Sequence, residues 1–173
     1  MVTVKAFLIS GDISSNSPEA FSLFEKERFG EKEQEKIIYS LVEALYLVEN
    51  KKMKIHNHQE KEINSKDLIK KFEKIDKKFL TKYLVFKDLR KKGNIVKSAL
   101  KFGAEFRVYE KGSKIGQTHA RWILFCLSEH DKISMQDFSA KNRVAHSTNK
   151  KLLIAIVDQE HDVSYYEAGW LKL

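Results

Sequence analysis

Two uninterrupted apolar runs, WILFCL at residues 122–127 and LLIAIV at 152–157, are six residues long each. Such a run falls far short of the ~20 residues that a bilayer span needs. It has the length of a strand, and the second run, apolar at every position, reads as a strand buried on both faces. Such a strand requires a sheet covered on both sides, so helices must flank it. That requirement sets the fold class as α/β (α+β).

At 173 residues the chain can build one core of ordinary size or two small ones, since a domain below about 60 residues buries too little apolar surface to stand alone. Hydrophobic residues make up 42% and charged residues 32%, the composition of a globular protein. No apolar stretch of signal-peptide type follows Met1, so a cytoplasmic location without a membrane segment is expected. The single cysteine, Cys126, lies inside WILFCL and has no internal disulfide partner, so a small buried hydrophobe is expected there. A formal charge of +8 and a pI near 9.4 imply a surface that attracts polyanions.

The chain has one proline, Pro18, and no repeat of 20 to 50 residues. Residues 4–30 read as short strands joined by Gly-Asp and Ser-Asn-Ser turns, and residues 31–50 as a helix with Ile37, Leu41, Leu45 and Val48 on one stripe. MKIH at 53–56 reads as another strand. Asn64 and Asp67 form a capping-box pattern ahead of Leu68, Phe72, Ile75, Phe79, Tyr83 and Leu89, one long helix or two abutting ones. The seam between two domains is expected in the middle of that stretch, giving a small N-terminal α/β domain at 1–82 and a C-terminal domain at 83–173. Beyond Gly93 the period becomes that of strands: IVKSALKF, AEFRVYE and ARWILFCLS. Ser134 and Asp137 cap a helix with Met135, Phe138 and Ala145 on its apolar face, LLIAIVD follows, and VSYY and GWLKL end the chain as strands. The second half is thus a mixed sheet with a helix inside its strand order and flanking helices, an α/β arrangement.

No Walker loop, dinucleotide fingerprint, paired-cysteine zinc spacing or nucleophile elbow occurs. His56 and His58 in KIHNHQE lack a third ligand nearby, and a polar surface strand is the simpler reading. Taken singly, Tyr109, His119 and Lys150 are a strand tyrosine, a loop histidine and the solvated start of a buried strand. Glu105 and Asp137, the pair a metal-dependent nuclease would use, make no recognisable ligand cluster.

Together, FKDLRKKGNIVKSALKFGAEFRVYEKG, Thr118-His119 and NRVAHSTNKKLLIAIVD resemble the archaeal tRNA-splicing endonuclease, or tRNA-intron lyase, family. The resemblance spans 83–173, and SLVEALYLVEN at 40–50 is similar to the helix of that family's N-terminal domain. It implies a catalytic set of Tyr109 as base, His119 as acid and Lys150 as electrostatic stabiliser, with Lys150 rather than Lys151 matching the family's spacing. It further implies that Arg143 contacts the flipped bulge base of a bulge-helix-bulge in precursor tRNA. Trp170 is the candidate for the other side of that clamp.

The implied reaction uses neither metal nor cofactor: the 2′-hydroxyl of the RNA attacks the adjacent phosphorus, leaving a 2′,3′-cyclic phosphate and a 5′-hydroxyl. A base, an acid and a cation for the phosphorane are what it needs. Phenols titrate near 10 and are poor bases at neutral pH, so an ammonium beside the phenol must favour its anion. Lys91, Lys92, Lys97 and Lys101 are further candidates for phosphate contact. The resemblance also implies a homo-oligomer, or a heterotetramer with a second endonuclease subunit, paired through the C-terminal strands in SYYEAGWLKL. The acidic loop DQEHD, with Asp158, Glu160 and Asp162, would enter a basic groove of another subunit. A non-catalytic structural or RNA-positioning subunit of such a complex is the alternative.

Overall fold

The computed structural model describes residues 3–114, 116, 118–171 and 173. The chain forms two compact units, the first ending at Tyr83 and the second beginning at Leu84.

In the first unit, β1 (Val4–Ile9) and β2 (Asp12–Ser15) form a hairpin, followed by α1 (Pro18–Glu27). β3 (Glu31–Glu33), β4 (Lys36–Tyr39), α2 (Leu41–Glu49), β5 (Met53–His56) and α3 (Ser65–Ile75) follow. The sheet order is β3-β4-β2-β1-β5, with β1 and β5 parallel and the other pairs antiparallel. α1 packs on β1 and β4, and α2 on β5 and α3. Val4, Ala6, Ile13, Ile37, Leu45, Ile55, Leu68 and Phe72 form the buried interior.

Two expectations fail here. Residues 18–27 are a helix, not a strand, because Ser17 caps it by accepting from the Ala20 amide at 3.3 Å. Pro18 occupies the first turn, where its missing N–H costs nothing, and Glu19 faces the helix dipole. Residues 31–39 are a hairpin, and the helix starts only at Leu41. Ser40 and Glu43 make a reciprocal capping box: the Ser40 amide and hydroxyl donate to Glu43 Oε2 at 3.1 and 2.8 Å, while the Ser40 hydroxyl accepts from the Glu43 amide. The other oxygen of Glu43, a buried carboxylate, accepts from the Gly30 amide at 2.9 Å. Gly30 has φ +75°, and a Cβ there would meet Ile37 Cγ2 at 2.3 Å, so glycine is required on both counts.

α4 (Phe79–Lys91) follows α3 as a separate helix, and the boundary between the units falls within it. The second unit continues with β6 (Ile95–Ser98), a 3₁₀ turn (Leu100–Phe102), β7 (Phe106–Tyr109), β8 (Trp122–Ser128), α5 (Met135–Ser147), β9 (Lys151–Val157) and β10 (Val163–Ala168). Its sheet is mixed, in the order β10-β9-β8-β7-β6: β8 and β9 run parallel through the α5 crossover, and the remaining pairs are antiparallel. A core of Ala99, Ala104, Ile123, Phe125, Ala145, Leu152 and Ile154 lies on the α5 side. Cys126 is buried.

Ser134 caps α5 as expected, and Phe138 and Ala145 face the core, but Met135, in the first turn, is 75% exposed. The strand expected at IVKSALKF stops at Ser98, and the 3₁₀ turn follows from Leu100. The strand expected at GWLKL is absent from its described residues, β10 ending at Ala168; Lys172 lies outside the described residues. Ile115 and Gln117, in the loop before His119, likewise lie outside them. Among the described residues, no helix is long and apolar enough to cross a membrane.

Candidate active site

Tyr109 is the last residue of β7, His119 lies three residues before β8, and Lys150 immediately precedes β9. Sheet order makes the strand ends next to these positions neighbours. β7 runs antiparallel to β8 with Val108 opposite Trp122, and β9 runs parallel to β8 with Trp122 opposite Lys151. Hence the end of β7 and the starts of β8 and β9 share one edge of the sheet. Backbone bonds continue past the strands to close that edge: the Arg121 amide donates to Val108 O at 3.0 Å and the Lys151 amide to Arg121 O at 2.9 Å. With β8 between them, β7 and β9 lie about 10 Å apart.

Strand alternation puts Tyr109 on the face shared by Arg107 and Ile123, the side covered by α5. Lys150 is on the same side: its ammonium lies 5.8 Å over the ring of Phe102, which packs against the α5-side core, and it donates to Thr148 O at 2.8 Å. Tyr109 is 7% exposed, Lys150 half-buried and His119 exposed. Asn94 Nδ2 donates to Tyr109 O at 3.0 Å and fixes the strand end. Among the described residues, no carboxylate pairs with Lys150.

Lys151 behaves differently from its neighbour. It donates to Glu167 Oε1 at 2.6 Å, and Trp122 Nε1 donates to the other oxygen of Glu167 at 2.7 Å. Arg121 stacks over the Trp122 ring at 4.8 Å and pairs with Glu110. The Lys151 ammonium, and then the indole N–H of Trp122, hold the Glu167 carboxyl below its usual range. This chain of contacts runs through Glu110, next to Tyr109; Arg121, two residues after His119; and Lys151, next to Lys150. It ties together the strand ends that bear the three candidates. No local sequence pattern signals it, since Trp122 and Glu167 are 45 residues apart.

Arg143, on α5, and Trp170, beyond β10, line one cavity of about 430 Å³ together with Phe138, Ser139, Asn142 and Gly169. Trp170 is 61% exposed and meets His146 edge to face, with ring centres 4.5 Å apart. Lys91, Lys92 and Lys101 are exposed, Lys92 paired with Asp88, whereas Lys97, in β6, is only 7% exposed. Glu105 accepts from the Cys126 amide and Asp137 from the Ser134 hydroxyl that caps α5, so both carboxylates serve the fold. Among the described residues, no three His, Cys, Asp or Glu side chains gather as metal ligands. In the β9–β10 loop, Asp158 Oδ1 accepts from the amides of Glu160 at 3.0 Å and Asp162 at 2.8 Å, and the Glu160 and Asp162 side chains stand exposed.

Both halves of the chain match domains of one enzyme class. Residues 4–69 match the tRNA intron endonuclease N-terminal domain, and residues 79–165 match the tRNA intron endonuclease catalytic C-terminal domain. The chain is 41% identical over 174 residues to the tRNA-splicing endonuclease of Pyrococcus abyssi, with 99% of each chain covered. It is 38% identical to that of Methanothermobacter thermautotrophicus, over 99% of this chain and 94% of that one. For the Methanococcus maripaludis protein of the same name the identity is 35%, over 99% and 96%. The chain belongs to the tRNA intron endonuclease family.

Proposed function

We propose that the chain is a tRNA-splicing endonuclease subunit that carries its own active site and cuts precursor tRNA at the bulge-helix-bulge. The observation that supports this reading is that the end of β7 and the starts of β8 and β9, the strand ends nearest Tyr109, His119 and Lys150, share one edge of the sheet. A subunit that only positions RNA has no chemical need for those three residue types there.

In the proposed reaction, the Tyr109 phenolate takes the proton of the 2′-hydroxyl, whose oxygen attacks phosphorus. The bond to the 5′-oxygen breaks, and protonated His119 supplies the proton that makes the leaving group a neutral hydroxyl. Lys150, which pairs with no carboxylate among the described residues, offsets the extra negative charge of the phosphorane. Arg143 and Trp170 hold an unstacked bulge base between a guanidinium plane and an indole, the general way single-stranded bases are read. The complete particle is a homo-oligomer or a heterotetramer, joined through β10 and the loop bearing Asp158, Glu160 and Asp162.

The test is incubation with a bulge-helix-bulge RNA in EDTA. Products ending in 2′,3′-cyclic phosphate and 5′-hydroxyl are expected; activity that appears only on adding Mg²⁺ defeats the mechanism. Tyr109→Phe and His119→Ala are expected to slow single-turnover cleavage by about 10² to 10⁴ with RNA affinity retained. Arg143→Ala is expected to weaken binding of the bulge.

A further inference from the structure

The first unit carries a second cationic surface, which the proposed chemistry does not use. Residues 1–60 contain eight Lys and Arg against ten Asp and Glu, whereas residues 61–83 contain eight against four. Lys61, Lys66, Lys70, Lys71, Lys74 and Lys77 are all exposed, and among the described residues none of their ammonium groups pairs with a carboxylate. Other lysines of the unit are paired: Lys52 with Glu27, Lys54 with Glu62 and Lys82 with Asp76.

α3 organises this surface. Leu68 and Phe72 are fully buried and fix the inward face, so Lys66, Lys70 and Lys74, spaced four apart, form a row on the helix exterior. Like charges at that spacing repel and oppose helix formation, and Lys66 also stands in the first turn, where the dipole disfavours a cation. Asn64 caps the helix, with its side chain accepting from the Asp67 amide at 2.9 Å. Lys61, Lys70, Lys71 and Lys74 line an open groove of about 350 Å³. Its two carboxylates are already engaged, Glu62 by Lys54 at 3.0 Å and Asp67 by Asn64 Nδ2 at 2.8 Å.

We propose that this groove and the α3 lysine row bind the phosphodiester backbone of a duplex arm of precursor tRNA, outside the bulge-helix-bulge. The inference rests on the reading of the chain as a tRNA-splicing endonuclease. Charge complementarity selects a polyanion, and ammonium groups on flexible stems suit phosphates as point charges, without reading bases. No aromatic side chain of α3 is exposed, Phe72 being buried, so the surface offers no platform on which single-stranded bases stack. A paired arm, with its bases turned inward, fits this chemistry.

The test combines Lys70→Gln, Lys71→Gln and Lys74→Gln, three exposed positions whose loss leaves the buried face of α3 intact; an unchanged melting curve checks the fold. Cleavage of full-length precursor tRNA and of a minimal bulge-helix-bulge RNA is compared across a salt series. Filter binding to the full-length RNA is measured in parallel. For the full-length RNA, affinity and kcat/KM are expected to fall about tenfold or more, with a salt slope shallower by about two to three units. The minimal RNA is expected to be cut as before. In the opposite direction, Glu73→Lys is expected to tighten binding of the full-length RNA.

Equal losses on both RNAs, or none on either, overturn the proposal. So does unchanged RNA binding with a smaller native particle, which assigns the patch to an acidic protein surface. If the unmodified chain cuts neither RNA, the catalytic reading has failed, and the binding arm still decides the fate of the lysine row.

Discussion

Lys150 and Lys151 are adjacent in sequence, yet they do different work because strand alternation turns them to opposite sides of the sheet. Lys151 is tied to Glu167, while Lys150 rests over Phe102 beside the edge where β7 ends. Under the proposed mechanism, Lys150→Ala lowers kcat by about 10² to 10³, the size of a lost transition-state charge contact. Lys151→Ala removes an exposed ion pair, worth at most about 1 kcal/mol, and so lowers kcat by less than about tenfold. Single-turnover cleavage of a bulge-helix-bulge RNA separates the two.

Glu167 adds a pH dependence of known sign. Its folded pKa is depressed by Lys151 first and Trp122 second, so its ties are present above the ordinary glutamate value of 4.5 and are lost as pH falls through the lower folded value. The indole N–H resonance of Trp122 is expected to shift with a midpoint below 4.5, and Glu167→Gln is expected to remove that transition. A midpoint above 4.5 contradicts the contact.

At the scale of elements, the caps decided the outcome wherever periodicity misled. Phe21, Leu23 and Phe24 give residues 18–27 the look of a strand, but the local chemistry of Ser17, Pro18 and Glu19 starts a helix. In residues 31–50 the three-to-four spacing runs from Ile37 through Leu41 to Leu45 without a break, because the buried strand residue Ile37 and the buried helix residue Leu45 happen to keep step across Ser40. The Asn64 and Ser134 caps were legible because nothing competed with them. Taken singly, the candidate site residues were legible only as a tyrosine, a histidine and a lysine, and the family resemblance joined them into a set. That the strand ends beside them share one edge depends on β9 lying beside β8 rather than beside β7, which local pattern does not encode. The capping box of α2 also holds the β3–β4 hairpin, through Gly30 and Glu43. Gly30→Ala therefore strains a positive φ and drives a methyl into Ile37, and is expected to cost about 2 to 3 kcal/mol, read as a lowered Tm. A Tm within a degree of the parent refutes that account.

Across the whole molecule, charge is divided between two compact units. Residues 84–173 carry sixteen Lys and Arg against ten Asp and Glu, and with them Tyr109, His119, Lys150, Arg143 and Trp170. The first unit is nearly balanced in total and concentrates its excess after residue 60. The net charge of +8 was plain in the sequence, but its division into separate surfaces required knowing which lysines find partners.

Under the proposed assembly, the β9–β10 loop is the element to test. Asp158 holds the backbone of its own loop, so replacing it with alanine is expected to loosen the turn, whereas Glu160→Lys alters only the outward charge. Native mass spectrometry of the two variants should distinguish shape from charge, with Glu160→Lys giving the smaller particle if the loop enters a basic groove. Because Asp158 already shapes the turn through the Glu160 and Asp162 amides, a subunit docking there under the proposal would meet a preformed prong. Little disorder would then have to be surrendered, which favours rapid capture and slow escape.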